Sequence, residues 1–358
     1  MTSAALPYRD RLVRLAAALQ EPLLVLEPTN VRYLTGFRST NPALLVRPSG
    51  EATLYSDFRY ADAGRAAATG AGVEFAIAER ALLKDLAARL SGRVGFEAGF
   101  VTYTAWQELG GGPAGVELLP TSGLVEALRS VKDEAEIELI RQACAITTRT
   151  YEAIVAEGLV GRTERAVAAR IEALCRELGG DGSAFPPIVA AGENGARPHA
   201  DARDVAIERG TLVTIDCGAR LAGYCADCTR TFSTGDLPAD LARAYDVCLA
   251  AEQAGLVAIA PGVVGDAAHQ AAAAVIATAG WAHAFGHGLG HGVGLDIHEA
   301  PTLRPASTDV LAAGNVVSCE PGIYLDGLGG VRIEDLVVVR EGGAEVLTAF
   351  TKELVTVD

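Results

Sequence analysis

The sequence predicts an α/β protein of two domains. In the first third of the chain, short apolar segments alternate with helical patterns, which is typical of α/β folds. The 358 residues exceed the usual size of one domain. Half of the residues are hydrophobic and 21% are charged, so the chain has enough apolar material for packed cores.

Five N-terminal segments are mostly apolar, as strands buried on both faces usually are. These predicted strands are 23–27, 43–47, 52–56, 73–78 and 93–96. Helical patterns at 59–69 and 80–90 lie between them. We therefore predict an α/β domain over residues 1–127, and a second domain over residues 128–358.

The second domain is predicted to begin with a long amphipathic helix. Ser130 and Asp133 resemble a capping box at the start of this helix. Its predicted buried side carries Ile137, Ile140, Cys144, Tyr151 and Ile154. Further helices are predicted at 164–178, 238–254 and 266–278.

Two β-hairpins are predicted in the remainder of this domain. Segments 212–218 and 224–232 flank one turn, and segments 316–324 and 331–339 flank another. Helices precede each pair, which predicts two similar halves.

Each predicted hairpin carries one carboxylate on each of its strands. These acids are Asp216, Asp227, Glu320 and Glu334, and they interrupt apolar runs where burial is expected. A buried carboxylate is costly unless it is paired or bound to a metal ion. Four converging carboxylates would repel one another unless cations held them ionised.

A histidine-rich segment can supply the nitrogen ligand that such a site often contains. Residues 285–299 read FGHGLGHGVGLDIHE and include His287, His291 and His298 among five glycines. A single acid or histidine in such a place is more often structural, but their coincidence favours a metal site. Two divalent cations would balance four carboxylates. An oxygen-rich set suits Mn, Co or Fe, and Zn is also compatible.

Composition excludes several other classes of function. The net charge of −15 argues against nucleic-acid binding, because no basic excess exists to neutralise phosphates. No segment is apolar over the ~20 residues that a bilayer span requires, and no secretory signal is visible at the start. Seven scattered cysteines, an odd number, favour reduced thiols in the cytoplasm. Cys217, Cys228 and Cys319 lie beside the acids, and strand alternation predicts them on the opposite, buried face.

The motifs resemble those of the metallopeptidases with the pita-bread fold, over nearly the whole chain. They occur in the order D-x-G…G-Y-x-x-D-x-T-R-T-F, G-H-G-x-G-x-x-x-H-E, E-P-G-I-Y and G-G-V-R-I-E-D. NVRYLTGF and SDFRYADA resemble the creatinase-type N-terminal domain of prolidase and aminopeptidase P. The resemblance implies a creatinase-like domain followed by a pita-bread catalytic domain, acting on short proline-containing peptides.

The resemblance also implies a role for each candidate residue. Asp216 would bind one metal ion, His291 and Glu320 the other, and Asp227 and Glu334 would bridge the two. Glu320 would also shuttle a proton to the leaving nitrogen. The remaining residues would contact substrate or the metal ligands: His199 on the substrate side, His298 at the scissile carbonyl, and His287 and Arg332 near substrate or ligands. Tyr224 would pack against or orient Asp227.

The resemblance favours a homodimeric prolidase and leaves aminopeptidase P as the alternative. A dipeptidase must bind the free carboxylate that follows proline, for which Arg38 and Arg304 are candidates. A metal-free creatinase-like amidinohydrolase and a non-catalytic binding module are remote alternatives, because such proteins lack some of the five ligands.

Overall fold

The structure is a computed structural model that describes residues 6–79, 81–111 and 115–358. The chain divides into two compact units, Met1–Arg129 and Ser130–Asp358. No helix within the described ranges is long and apolar enough to cross a lipid bilayer.

The N-terminal unit contains one six-stranded mixed sheet. Its strands are β1 (Leu23–Val25), β2 (Ala43–Val46), β3 (Ala52–Ser56), β4 (Glu74–Ile77), β5 (Arg93–Glu97) and β6 (Glu117–Thr121). Its helices are α1 (Tyr8–Ala18), α2 (Pro28–Thr35), α3 (Ala61–Ala71), α4 (Leu82–Arg89) and α5 (Tyr103–Glu108), and α6 (Leu124–Ser130) spans the boundary of the units. The sheet order is β4-β3-β2-β1-β5-β6, and its parallel pairs are β3–β4, β1–β5 and β5–β6.

All five strands predicted in this unit are present. Both predicted helices are present as α3 and α4, although Arg80, the first residue predicted for α4, lies outside the described residues. Burial on both faces was expected for many of these strands, and every residue of β1, β2 and β3 is buried, whereas β4 lies at the edge of the sheet and is partly exposed. The prediction missed α1, α2, α5, α6 and β6. Three of these helices are at most eight residues long: α2, α5 and α6.

The C-terminal unit has four helices, each close to its predicted range. They are α7 (Glu134–Glu157), α8 (Glu164–Glu177), α9 (Ala239–Ala258) and α10 (Gly265–Thr278). The predicted capping box of Ser130 and Asp133 is wrong, because Asp133 is itself the N-cap of α7 and Glu136 completes the box. All five residues predicted on the inner side of α7 are buried.

The strands of this unit form several small sheets. They are β7 (Gly182–Ser183), β8 (Ile188–Ala191), β9 (Leu212–Asp216), β10 (Ala219–Leu221), β11 (Tyr224–Cys225), β12 (Thr229–Ser233), β13 (Gly290–Gly292), β14 (Glu299–Leu303), β15 (Val316–Cys319), β16 (Gly322–Leu325), β17 (Gly329–Arg332), β18 (Asp335–Arg340) and β19 (Gly343–Val346). Two of the sheets have the orders β12-β9-β8 and β14-β13-β15-β18-β19.

The two predicted hairpins exist, but three of their four strands are interrupted. Strand β9 pairs with β12, and β15 pairs with β18, in antiparallel register. Segment 224–232 breaks between β11 and β12, segment 316–324 between β15 and β16, and segment 331–339 between β17 and β18. Each break contains one of the predicted ligands, Asp227, Glu320 or Glu334, and Asp216 ends β9. The acids therefore lie where the strand pairing stops.

Candidate metal centre

Three of the predicted carboxylates converge at the ends of the paired strands. One oxygen from each of Asp216, Asp227 and Glu334 lies within 4.8 Å of the other two. Asp227 is 5% exposed and Glu334 is 1% exposed. Burial of three carboxylates this close together requires a compensating positive charge.

Two oxygens of this cluster have no partner in the described part of the chain. Asp216 Oδ1 and Glu334 Oε1 are buried and accept no hydrogen bond. The second oxygen of Asp216 accepts from Arg332 at 2.8 Å, and that of Glu334 accepts from Thr229 Oγ1 at 2.7 Å. Carboxylates with one oxygen fixed and the other free fit a site for divalent cations.

Neighbouring backbone contacts fix the positions of these ligands. The Tyr151 hydroxyl, from α7, lies 2.7 Å from the carbonyl oxygen of Cys228 and 2.9 Å from that of Ile215. These two residues adjoin Asp227 and Asp216. Helix α7 therefore holds the ends of β9 and of the segment before β12 together.

His291 and Glu320 complete the constellation. His291 Nε2 lies 3.3 Å from Glu320 Oε1 and 3.6 Å from Asp227 Oδ2. Ser318 Oγ accepts a hydrogen bond from the backbone N–H of His291 and donates one to Glu320 Oε1, each at 3.0 Å. One serine thus fixes a histidine and a carboxylate that lie on different elements.

In the metal-free chain, the carboxylates of the cluster resist ionisation. Burial and the neighbouring carboxylates raise the pKa values of Asp227 and Glu334 well above their usual range, and burial raises that of Asp216. Burial alone would also raise the pKa of Glu320, but the hydrogen bond and charge of His291 lower it to about 2.

The constellation opens into a cavity of about 790 Å³. Asp216, Asp227, Glu320 and His291 line it on the metal side, whereas Glu334 lies behind them. His199, His298 and Arg304 line it elsewhere. The rings of His291 and His298 have centroids 4.4 Å apart, and burial lowers the pKa of His298. His298 is therefore a neutral imidazole facing the cavity. Arg38 belongs to the N-terminal unit, where it is exposed.

His287 and Arg332 are connected through Tyr324. His287 Nδ1 donates to the Gly288 carbonyl oxygen at 2.8 Å, so Nε2 accepts from the Tyr324 hydroxyl at 2.9 Å. Arg332 donates to the Tyr324 oxygen at 3.0 Å and to Asp216 at 2.8 Å. Tyr324 and Arg332 therefore connect His287 to Asp216, and His287 and Arg332 also line the cavity.

The cysteines are structural, as predicted. All seven are buried and free of disulfide bonds. Cys217 and Cys228 pack in one hydrophobic cluster with Ile215 and Phe232, and Cys319 packs in another. The argument from strand alternation was wrong for Cys228, because Asp227 and Cys228 lie between β11 and β12 rather than in a strand.

Two glycines of the histidine-rich segment, Gly290 and Gly292, allow neighbouring strands to approach closely. A Cβ at Gly290 would lie 2.0 Å from the Ser318 carbonyl oxygen, and one at Gly292 would lie 2.2 Å from that of Ala300. These contacts bring β13 against β14 and β15, and so place His291 beside Glu320.

Sequence reasoning missed the residues that hold the ligands. These are Tyr151, Thr229, Ser318 and Tyr324. Thr229 and Ser318 are polar residues inside buried strands, a signal that could have identified them. Tyr151 was predicted only as an apolar residue of α7, and its hydroxyl contact depends on the tertiary structure.

Known proteins that are similar to this chain include two Xaa-Pro dipeptidases and an X-Pro aminopeptidase. An Xaa-Pro dipeptidase from Pyrococcus furiosus is 33% identical over 352 residues, 97% of this chain and 99% of that protein. The structure of an Xaa-Pro dipeptidase from Bacillus anthracis has a TM-score of 0.93 at 34% identity, covering 98% of this chain and 100% of that one. An X-Pro aminopeptidase from Thermotoga maritima has a TM-score of 0.86 at 30% identity, covering 94% of this chain and 97% of that one.

Two family models match the sequence in consecutive ranges. The creatinase/prolidase N-terminal domain matches residues 11–131, and metallopeptidase family M24 matches residues 138–341. The second range contains Asp216, Asp227, His291, Glu320 and Glu334. The chain therefore belongs to metallopeptidase family M24, with a creatinase/prolidase N-terminal domain and a requirement for divalent metal ions.

Proposed function

We propose that this protein is an Xaa-Pro dipeptidase that hydrolyses the bond before proline in dipeptides. The proposal depends chiefly on the cluster of Asp216, Asp227 and Glu334 with its two unpartnered buried oxygens. Similarity to Xaa-Pro dipeptidases over nearly the whole chain supports the choice of substrate.

The five predicted ligands, Asp216, Asp227, His291, Glu320 and Glu334, would hold two divalent cations. When bound, such cations act as Lewis acids that lower the pKa of water and polarise a carbonyl group. Manganese is our proposed metal, because four of the five ligands are hard carboxylates, and Co, Fe and Zn are the alternatives.

The surrounding side chains would handle protons and substrate. Glu320 is ionised beside His291 and can carry a proton to the leaving nitrogen. The neutral ring of His298 would donate a hydrogen bond to the scissile carbonyl oxygen as it gains negative charge. His199 would contact the peptide from the cavity wall. Arg332 would keep Asp216 ionised and oriented.

Arg304 is the proposed partner of the substrate carboxylate, because it lines the same cavity as the metal ligands. An arginine can bind a carboxylate through two parallel charge-assisted hydrogen bonds. An Xaa-Pro aminopeptidase, acting on longer peptides, is the second candidate, and the similarity to the Thermotoga maritima protein supports it.

The test compares Gly-Pro, Gly-Pro-Ala and creatine after chelation and after addition of Mn. We expect no activity in the chelated protein, restored hydrolysis of Gly-Pro with Mn, and weaker hydrolysis of Gly-Pro-Ala. Arg304→Met should reduce kcat/KM for Gly-Pro by ~10-fold or more, since a charge-assisted hydrogen bond to the substrate carboxylate is lost. It should affect Gly-Pro-Ala less. Faster cleavage of Gly-Pro-Ala than of Gly-Pro would favour the aminopeptidase. Full activity of the chelated protein would contradict both the dipeptidase and the aminopeptidase proposals.

We also propose a homodimer located in the cytoplasm. Resemblance to enzymes whose active site is closed by a partner subunit supports the dimer, as do the exposed aromatic side chains Phe58 and Tyr103. Seven unpaired cysteines support a reducing compartment. Light scattering during size-exclusion chromatography would determine the oligomeric state.

A further inference from the structure

The Glu164 carboxylate, at the first residue of α8, is 1% exposed and accepts hydrogen bonds on both oxygens. Oε1 accepts from the Ala191 backbone N–H at 2.8 Å and from Arg203 Nη2 at 3.1 Å. Oε2 accepts from Asn194 Nδ2 at 3.0 Å, from the Arg203 backbone N–H at 2.8 Å and from Arg203 Nε at 3.1 Å. Such a buried charge is stable only because it is fully bonded.

The donors lie on both sides of one loop. Ala191 and Asn194 precede His199 in the chain, and Arg203 follows it. Asn194 Nδ2 also donates to the Asp201 carbonyl oxygen at 3.1 Å. Glu164 therefore joins the two ends of the segment that carries His199.

His199 depends on this backbone for its position. Its side chain is exposed at the cavity wall, and its ring makes no hydrogen bond within the described residues. Two further contacts anchor the segment: the Pro198 carbonyl oxygen accepts from Arg332 Nη1 at 3.1 Å, and the Arg203 carbonyl oxygen accepts from the Arg165 backbone N–H at 3.0 Å. The loop is thus fixed to the metal side through Arg332 and to α8 through Glu164.

A role confined to stabilising α8 does not explain these contacts. A carboxylate in the first turn of a helix interacts favourably with the helix dipole. However, all five donors to Glu164 belong to residues 191–203, and none belongs to α8. The N-cap of α8 is instead Thr163, whose side chain accepts a hydrogen bond from the Ala166 backbone N–H.

We infer that Glu164 is a positioning residue that holds His199 at the substrate side of the metal centre. It controls substrate binding through the 191–203 loop without touching substrate or metal. The inference rests on the proposed function, because His199 is assigned there as a substrate contact.

The test is a double-mutant cycle with Gly-Pro in the Mn-loaded protein. Glu164→Gln should lower kcat/KM ~10-fold, mainly through KM, because a small displacement of a positioning group costs this much or more. His199→Ala should lower it at least as much. The Glu164→Gln/His199→Ala double variant should match His199→Ala, because residues that act through each other are not additive. Metal content should be unchanged throughout.

Glu177→Gln is the matched control, since Glu177 lies on the same helix and pairs only with the surface residue Arg170 among its described contacts. It should leave KM unchanged. Asn194→Ala removes one of the five hydrogen bonds to Glu164 and the bond to the Asp201 carbonyl oxygen, but it leaves Ala191 and Arg203 bonded to Glu164. It should therefore raise KM less than Glu164→Gln does, and it replaces Glu164→Gln if that variant fails to fold. Effects that multiply with His199→Ala, or a loss of stability with KM unchanged, would overturn the inference.

Hydrogen exchange of the metal-free protein, measured by mass spectrometry on peptides that cover residues 191–203, tests the loop without any activity. Exchange in this segment should accelerate in Glu164→Gln and Asn194→Ala, but not in Glu177→Gln. Equal rates in all variants would overturn the inference. A failure of Gly-Pro hydrolysis in the wild type, with this acceleration present, would instead refute the substrate assignment.

Discussion

Replacing Asp227 with asparagine should stabilise the metal-free protein and destabilise the metal-loaded protein. In the metal-free chain, an oxygen of Asp227 lies within 4.8 Å of oxygens of Asp216 and Glu334. Two carboxylates at that separation repel by about 3.5 kcal/mol at an effective dielectric constant of about 20. Bound protons and Arg332 relieve part of this repulsion. We expect the free energy of unfolding to rise by about 2 kcal/mol at pH 8.

The stabilisation should depend on pH in a defined direction. The pKa of Asp227 is raised in the folded metal-free chain, so its ionisation destabilises the fold as the pH rises. Below the ordinary pKa of an aspartate, Asp227 is protonated in both states and its replacement changes no charge. The advantage of Asp227→Asn should therefore vanish near pH 4 and grow above it.

Excess Mn should reverse the order of stability. A ligand at a thousandfold excess over its dissociation constant stabilises the folded state by about 4 kcal/mol. The wild type gains this stabilisation, whereas Asp227→Asn lacks a bridging ligand and loses most of it. Urea unfolding followed by circular dichroism, with chelator and with Mn, measures both differences. Asp246→Asn, on the exposed side of α9, is the control for loss of one negative charge. Destabilisation of chelated Asp227→Asn at pH 8 would refute the reasoning.

Three further predictions concern the same centre. Mn binding should release protons, because the raised pKa values of Asp227 and Glu334 leave protons for the metal to displace. The apparent affinity for Mn should therefore rise with pH. Calorimetry in buffers of different ionisation enthalpy measures the number of protons released, and binding without proton release would contradict the prediction. His291→Ala should lose metal and activity, whereas His298→Ala should keep its metal while kcat falls ~10²–10³-fold. Elemental analysis measures the metal content, and equal metal loss in the two variants would contradict their separate roles. Cys228→Ser should retain its metal content. Loss of metal in this variant would indicate that the Cys228 thiol is a ligand.

The sequence predicts the positions of the acids but not their local geometry. Asp216 and Asp227 stand out because charged residues interrupt apolar segments, and this signal is local. The breaks in the strands at Asp227, Glu320 and Glu334 were not predicted. Pro321 and Gly322 were a local signal for the break at Glu320, whereas segments 224–232 and 331–339 contain no proline or glycine. Pairing with different neighbours on the two sides of each break decides where a strand ends, and that depends on tertiary contacts.

Residues whose contacts position other residues could also not be predicted from the sequence. Glu164 reads as an ordinary acid in the first turn of a helix, although it bonds residues up to 39 positions away. Tyr324 reads as an apolar strand residue, although it connects His287 to Arg332. Such contacts join segments that are distant in the chain, and no periodic pattern reports them.

The placement of the ligands at strand breaks has a consequence for metal selection. Asp227 lies between β11 and β12 and makes no ladder hydrogen bond, so it can shift by tenths of an ångström at little cost, whereas the backbone N–H groups of Glu320 and Glu334 donate to the carbonyl oxygens of Leu289 and Thr229. A centre that adapts to ionic radius discriminates weakly by size, and the affinities then follow the intrinsic order of the divalent metals. The metal carried by the purified protein should therefore change with the composition of the growth medium, and cellular availability rather than coordination geometry should determine which ion occupies the centre.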